Sequence, residues 1–271
     1  GPAVIIRIAV DGGAHFKIYN SHNNHPRRQS MGKFTILNAG KQRKNTSVKA
    51  LIYGDSGAGK SFLAATAPKP LILLTELNGQ VSISHSNPKA DIIHITSANM
   101  LAQVLRDIED NPEAYADYET IVIDSLTETQ RLIKDRIMSR KSSGQGFQIQ
   151  DWGKMAEDMR AMVRRIRSLN KHVVCICLME SETEESTGIR HIRPAFEGRK
   201  TGAEIAQYFN FVGFLYPQEV SETTEDGQTS AKIIRHLMLE GPARVMCKPC
   251  SPLSGVIPAP NINKLIKQIT K

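Results

Sequence analysis

The sequence predicts an α/β fold, in which a mainly parallel β-sheet is flanked by helices and extended by an antiparallel hairpin near the C-terminus. Short apolar runs alternate with amphipathic segments from Val48 onward, which is typical of strands and helices that follow one another in a parallel sheet. The predicted strands are residues 48–53, 70–74, 92–95, 121–123, 173–178 and 211–216. Apolar residues at helical spacing mark helices over 101–108 and 155–169, and 232–239 with 244–247 predicts the hairpin.

The connection after the first predicted strand carries the motif G-x-x-x-x-G-K-[ST] at residues 54–61, followed by a helical pattern that Pro68 ends. Its glycines let the backbone approach phosphate oxygens closely. Lys60 is suited to the β- and γ-phosphates and the Ser61 hydroxyl to Mg²⁺. The motif therefore predicts a site for ATP and Mg²⁺, with nucleotide-binding residues Gly54, Asp55, Ser56, Gly57, Ala58, Gly59, Lys60, Ser61 and Phe62.

Two carboxylates follow neighbouring predicted strands, at the sheet edge where ligands bind in open α/β sheets. Asp124 ends the run 120–124 and is predicted to ligate Mg²⁺ together with Ser61; it is equally suited to cap the helix that begins at Leu126. Ser125 stands where an AAA+ machine normally has Glu, which argues against that class. Glu76 follows the strand 70–74 and is the predicted catalytic base, the alternative being an exposed loop residue. The predicted catalytic set is Glu76, Lys60 and Asp124.

The order of loop, strand with Glu76 and strand with Asp124 resembles the RecA-like ATPases. Segments 146–155, 193–200 and 208–212 are similar to the minimal, core-only RecA homologues of bacteriophages, and the resemblance runs from about Met31 to the C-terminus. It implies a RecA-like P-loop NTPase that hydrolyses ATP under stimulation by single-stranded DNA, promotes annealing or strand exchange, forms a homo-oligomeric ring or filament, and works beside a single-strand-binding protein. It also implies a basic residue supplied by a neighbouring subunit, for which Lys248 is the candidate.

Two polar segments, 139–147 and 180–200, match in order the two DNA loops of RecA-like proteins. Cations there are suited to phosphates, and aromatic rings are suited to stacking on unpaired bases. The predicted DNA-binding residues are Arg140, Lys141, Phe147, Arg190, Arg193, Phe196, Arg199 and Lys200. Surface loops without a ligand remain the alternative, since four glutamates make the entrance of the second loop acidic: Glu180, Glu182, Glu184 and Glu185.

Composition supports an anionic partner and a reducing cytoplasm, which the phage resemblance implies to be that of a bacterial host. The chain has 271 residues, 35 Lys and Arg against 27 Asp and Glu, and a formal net charge of +8. Its apolar runs are too short for a membrane helix. Cys175 and Cys177 are expected in the core, and a metal or redox role for Cys247 and Cys250 stays open.

Domain organisation is predicted as a flexible or non-native extension over residues 1–30 and a RecA-like ATPase core over 31–271. Two other functions remain open at this point. One is a P-loop kinase or GTPase that acts on a non-DNA substrate, although no N-K-x-D guanine motif is present. The other is a nucleotide-dependent scaffold that does not hydrolyse its ligand.

Overall fold

The computed structural model describes residues 4–8, 15–19, 46–76, 78–198, 200–223 and 229–271. The chain divides into two compact units, Gly1–Gln42 and Arg43–Lys271. In the first unit, strands β1 (Val4–Ile8) and β2 (His15–Tyr19) pair antiparallel. Met31 lies outside the described residues, so the boundary predicted there stays a prediction.

The second unit alternates strands and helices along the chain, as its hydrophobic pattern predicts. Its strands are β3 (Lys49–Gly54), β4 (Pro70–Leu74), β5 (Asp91–His94), β6 (Thr120–Asp124), β7 (His172–Thr183), β8 (Arg190–Pro194), β9 (Phe211–Thr223), β10 (Thr229–Met238) and β11 (Val256–Pro258). Its helices are α1 (Lys60–Ala64), α2 (Gly79–Ser86), α3 (Ala98–Asp110), α4 (Leu126–Met138), α5 (Ile149–Ser168), α6 (Thr201–Ala206) and α7 (Ile262–Thr270). Among these helices, none has the length and apolar character that crossing a membrane demands.

The sheet has the strand order β11-β10-β9-β3-β7-β6-β4-β5, and β8 pairs with the extension of β7. Strands β9, β3, β7, β6, β4 and β5 are parallel, so their carboxyl ends meet at one edge. Strand β3 lies in the middle, between β7 and β9, both of which come from much later in the chain. This arrangement is the predicted α/β, RecA-like architecture, with antiparallel strands added at its C-terminal end.

Helices cover both faces of the sheet because the strand residues alternate between two cores. Leu51 and Tyr53 of β3 face the core that α3, α4, α5 and α6 cover, whereas Ala50 and Ile52 face the one that α1, α2 and α7 cover. The predicted methionine stripe of α5 is core, since Met155, Met159 and Met162 are all buried. Two apolar layers therefore fix the strand ends that carry the site.

The C-terminal hairpin differs from its prediction in one strand. Strand β10 pairs antiparallel with β9 from Thr229↔Thr223 to Met238↔Phe214 and, at its other side, with β11. The segment 244–247, predicted as the second strand, instead follows a turn in which Val245 N donates to Pro242 O. The ten-residue ladder with β9 occupies one side of β10, and β11 occupies part of the other. Residues 244–247 therefore pair elsewhere: Val245 bridges Ile192, and Met246 N donates to Ile192 O.

Candidate active site

The glycine-rich loop lies at the carboxyl end of β3, and Lys60 at its end bonds back to carbonyl oxygens at its start. Lys60 Nζ donates to Gly54 O at 3.1 Å and to Asp55 O at 2.7 Å, and the side chain is buried. Gly59 has φ of 92°, a left-handed conformation that favours glycine. The loop thus holds the lysine ammonium at its centre, where the motif predicts phosphates.

Asp124 ends β6 beside the loop, and its carboxylate is 5% exposed. Burial is the main reason that its pKa rises from 3.8 to about 6; the Ser61 hydroxyl and Lys60 oppose this rise, and Glu76 adds to it. Lys60 shows the opposite shift, since burial lowers its pKa against the raising effect of Asp124 and Glu76. The two groups therefore compensate each other's charge inside a poorly solvated pocket.

The environment of Asp124 fits a divalent cation. Within the described part of the chain, Asp124 Oδ2 is buried without a hydrogen-bond partner. A Cβ placed on Gly79 would lie 3.3 Å from this oxygen and 3.6 Å from Ser61 Oγ. The two candidate metal-ligand oxygens therefore border the same small space. Carboxylate and hydroxyl oxygens are the ligands that Mg²⁺ prefers. Ser61 and Asp124 are therefore the residues that would hold Mg²⁺, as the motif predicts.

Glu76 lies half-buried just beyond β4, on the wall of the same cavity. Its Oε1 accepts a hydrogen bond of 2.7 Å from Ser125 Oγ. Thr75 joins the two strand ends: Thr75 Oγ1 donates to Asp124 O at 2.9 Å and accepts from Ser125 N at 2.8 Å. The predicted base is thus fixed next to the predicted metal ligand by contacts between β4 and β6.

The cavity around these groups has a volume of about 260 Å³ and receives one residue that the sequence analysis missed, Arg235 of β10. Arg235 Nε donates to Ala58 O at 3.1 Å, and the guanidinium carbon lies 5.8 Å from the centre of the Phe62 ring. A Cβ at Gly59 would come within 2.2 Å of Arg235 Nε, so glycine is needed there for space as well. An arginine in an alternating strand has no local signal for such a role, because only the sheet order brings it to the loop.

The predicted DNA-binding cations differ in how far their charge is already balanced. Lys141 forms an ion pair with Asp151, and Arg193 bonds both Glu180 at 2.6 Å and Glu182 at 2.8 Å. These pairs leave little net charge for phosphates. Three of the other predicted cations, Arg140, Arg190 and Lys200, are exposed, and Arg190 donates to Ser181 Oγ. Arg199 lies outside the described residues.

The aromatic part of the DNA prediction is corrected by the structure. Phe196 is 5% exposed and packs in the core, because it enters the sheet–helix interface after β8, so it is not free to stack on a base. Phe147 is half-buried and meets Trp152 edge to face, with ring centres 4.9 Å apart. The indole is 41% exposed, and Ile149 beside it is 90% exposed. Trp152, the only tryptophan in the sequence, lies in the segment 146–155 that carries the family resemblance but is not among the predicted DNA-binding residues.

Four other residues named from the sequence are not part of the lining of the nucleotide cavity. Lys248 Nζ donates to Phe209 O at 2.6 Å near the amino end of β9, and its role toward a neighbouring subunit stays a prediction. Cys175 and Cys177 are buried in the core, as expected. Cys247 Sγ donates to Met238 O. Two larger cavities, of about 550 and 520 Å³, open near the amino ends of the strands and contain none of the predicted catalytic residues.

Comparison with known proteins supports the loop assignment at the level of the family. No curated protein matches the sequence. One similar solved structure is described as a prototypical ATPase from the type III secretion system of pathogenic bacteria; it is 14% identical, with 76% of this chain and 64% of that chain covered and a TM-score of 0.39. The chain thus spans less than two thirds of that ATPase.

Residues 46–246 match a family described as an AAA domain. The match contains the glycine-rich loop, Glu76, Asp124 and Arg235, so Ser125 does not exclude a family of this description, contrary to the sequence argument. Since the matched residues are well over half of the 271, the chain belongs to the AAA domain family and carries an AAA-type P-loop ATPase domain.

Proposed function

We propose that this ATPase binds single-stranded DNA and promotes strand annealing or exchange in phage DNA recombination, in the cytoplasm of the bacterial host and as a homo-oligomeric ring or filament. The observation that carries the proposal is the exposed ring of Trp152, which packs against Phe147 of the first predicted DNA loop and lies near Lys134 of α4. Hydrolysis of ATP is assigned to the pocket between β3, β4 and β6.

In the proposed reaction, the chain's own residues position ATP and water. Lys60 neutralises the phosphates from inside the loop, where burial strengthens its electrostatic interactions. Bound Mg²⁺ would neutralise charge that develops on the phosphate oxygens. Glu76, held by Ser125, orients the attacking water and accepts its proton; a positioned base of this kind contributes about 10²- to 10⁴-fold to rate.

The DNA part of the proposal rests on helix α4, which contacts both predicted DNA loops. Gln130 Nε2 donates to Glu197 O at 2.9 Å, Glu197 N donates to Gln130 Oε1 at 2.7 Å, and Lys134 Nζ lies 2.6 Å from Glu197 Oε2. The same ammonium lies 5.4 Å from the ring centres of Phe147 and Trp152. Segment 180–200 is therefore tied through α4 to the exposed indole that follows segment 139–147.

Such a surface has the chemistry of a single-strand site. Every base offers a face for stacking, and stacking on an aromatic ring contributes about 1–3 kcal/mol per base whatever the sequence. Exposed Arg140 and Lys200 lie on the two segments and are suited to phosphates. The formal charge of +8 favours the same partner.

The test uses Trp152 as its own reporter, since the chain has one tryptophan. Titration with a single-stranded oligonucleotide in Mg²⁺ and ATP should quench the fluorescence, while phosphate release rises. Trp152→Ala, which lacks the reporter and is followed by the anisotropy of a labelled oligonucleotide, should weaken binding about 5- to 150-fold, corresponding to the stacking energy of one base. Ile233→Ala removes an even more exposed apolar side chain from β10 and should leave binding unchanged. If neither the fluorescence nor the rate of phosphate release changes when DNA is added, the protein is better explained as a kinase, a GTPase or a scaffold.

A further inference from the structure

The nucleotide pocket has two chemically different sides. Asp124 and Glu76 come from β6 and β4, which lie on one side of β3 in the sheet. Arg235 comes from β10, on the other side of β3, and contacts Ala58 and Phe62 there. A triphosphate bound for hydrolysis must point its γ-phosphate toward the carboxylates and the metal. The ribose and base must then leave the loop toward Arg235.

Arg235 has the properties of a ligand contact. It is exposed at the pocket, and among the described residues no carboxylate lies within ion-pair distance of it, unlike Arg193 or Arg136. Its described contacts are the Ala58 carbonyl and the face of the Phe62 ring. Phe62 is itself 41% exposed, directly after the predicted metal ligand Ser61. A planar guanidinium stacks well on planar rings and is weakly hydrated, so little is lost when it exchanges water for a base.

We propose that Phe62 and Arg235 form a nucleobase subsite that holds the base of the bound nucleoside triphosphate by its faces; this rests on the assignment of ATP binding to the loop. The guanidinium carbon of Arg235 lies 5.8 Å from the centre of the Phe62 ring. A base between them needs about 7 Å, because each stacked contact spans about 3.5 Å. An exposed arginine opens this gap by moving about 1 Å away from the ring.

The subsite predicts weak discrimination among bases. Face-to-face stacking reads no hydrogen-bonding edge, and every base has a π-face. ATP, GTP and CTP should therefore bind within a few-fold of one another, which a pocket built on edge recognition would not allow.

The experiment compares a ligand that has a base with one that lacks it. Calorimetry measures Mg·ATP and Mg·tripolyphosphate binding to the wild type and to Arg235→Ala, Arg235→Lys and Phe62→Leu, with thermal unfolding as the check on folding. Arg235→Ala and Phe62→Leu should weaken ATP at least about fivefold and leave tripolyphosphate unchanged. Arg235→Lys keeps the positive charge but lacks the planar guanidinium that stacks on a base, so this variant should also lose ATP affinity. Lys232→Ala removes a cation from the same strand outside the pocket lining and should bind both ligands normally.

Two results would overturn the subsite. Equal losses of ATP and tripolyphosphate in Arg235→Ala, restored in Arg235→Lys, would make Arg235 a phosphate contact. Unchanged ATP affinity in both Arg235→Ala and Phe62→Leu would place the base elsewhere. If the ATP assignment itself fails, wild-type protein binds neither ligand, and Lys60→Ala changes nothing.

Discussion

Ser125 Oγ donates a hydrogen bond of 2.7 Å to Glu76 Oε1, so the residue after the predicted metal ligand holds the predicted base. The same oxygen accepts from Glu128 N at 3.2 Å and caps helix α4. One hydroxyl thus joins helix capping to the orientation of the carboxylate. A glutamate at position 125 would offer no hydroxyl for this link.

Ser125→Ala should separate these two effects. Loss of the cap should cost about 1 kcal/mol of stability, and the release of Glu76 should slow phosphate release while ATP still binds. Ser97→Ala is the matched control, because Ser97 caps α3 through Met100 N and, within the part of the chain that the structure describes, bonds no carboxylate. We expect similar falls in melting temperature and a loss of turnover in Ser125→Ala alone. Equal turnover in the two variants would show that Ser125 acts only as a cap.

Glu76→Gln should keep the affinity for Mg·ATP and lose at least about 10²-fold in turnover, because the amide cannot accept the proton of the attacking water. Steady-state phosphate release and ATP binding are measured on the same preparation. Glu128→Gln is the control, since Glu128 pairs with Arg131 at 2.9 Å and does not line the pocket. Normal turnover in Glu76→Gln with loss in Glu128→Gln would reassign the base.

Asp124→Asn should stabilise the nucleotide-free protein at neutral pH. Because the pKa of Asp124 is about 6 in the folded chain against an ordinary 3.8, the unfolded chain releases this proton first as pH rises. Wild-type stability therefore falls between pH 4 and 6, by on the order of 2 to 3 kcal/mol, a cost that asparagine avoids. Thermal unfolding in EDTA should show a gain at pH 7.5 that shrinks toward pH 4.5.

Mg·ATP should reverse this order, since the wild type binds the metal and Asp124→Asn binds it poorly. In EDTA, a gain in the melting temperature of Asp124→Asn that is the same at pH 7.5 and at pH 4.5 would contradict the raised pKa of Asp124 as its cause.

Phe196→Ala should destabilise the fold rather than weaken stacking on DNA. Truncating a buried phenylalanine costs about 3–5 kcal/mol, and Phe196 is 5% exposed. Chemical denaturation measures the change, with Trp152→Ala as the exposed control, expected to lose much less. A stable Phe196→Ala that binds DNA poorly would restore the original stacking prediction.

The sequence was sufficient wherever function depends on neighbours along the chain. The loop, Asp124 and Glu76 each follow a buried strand, and parallel strands bring their ends together by construction. The sequence was insufficient wherever partners come from distant segments. Arg235 reaches Ala58 across 177 residues. Burial of Phe196 depends on how segment 180–200 folds back on α4.

Charge counting along the chain failed for the same reason. Arg193 reads as a free cation in the sequence, yet the β7–β8 pairing sets it opposite Glu180. Two of the four acidic residues that argued against the second loop, Glu180 and Glu182, are therefore partners of its arginine. The exposure of the Trp152 ring could not be predicted either, since it depends on which face of α5 packs against the rest of the protein.

The position of β3 at the centre of the sheet has a consequence for synthesis. Its neighbours β7 and β9 begin at His172 and Phe211, so β3 has no strand to pair with until well over a hundred further residues have been made. At about 5–20 residues per second, a ribosome exposes this apolar segment for roughly 6 to 25 s. The strand that delivers the phosphate loop is thus made early and gains its second sheet neighbour only with β9, and the nucleotide cavity is complete only once Arg235 of β10 has been added.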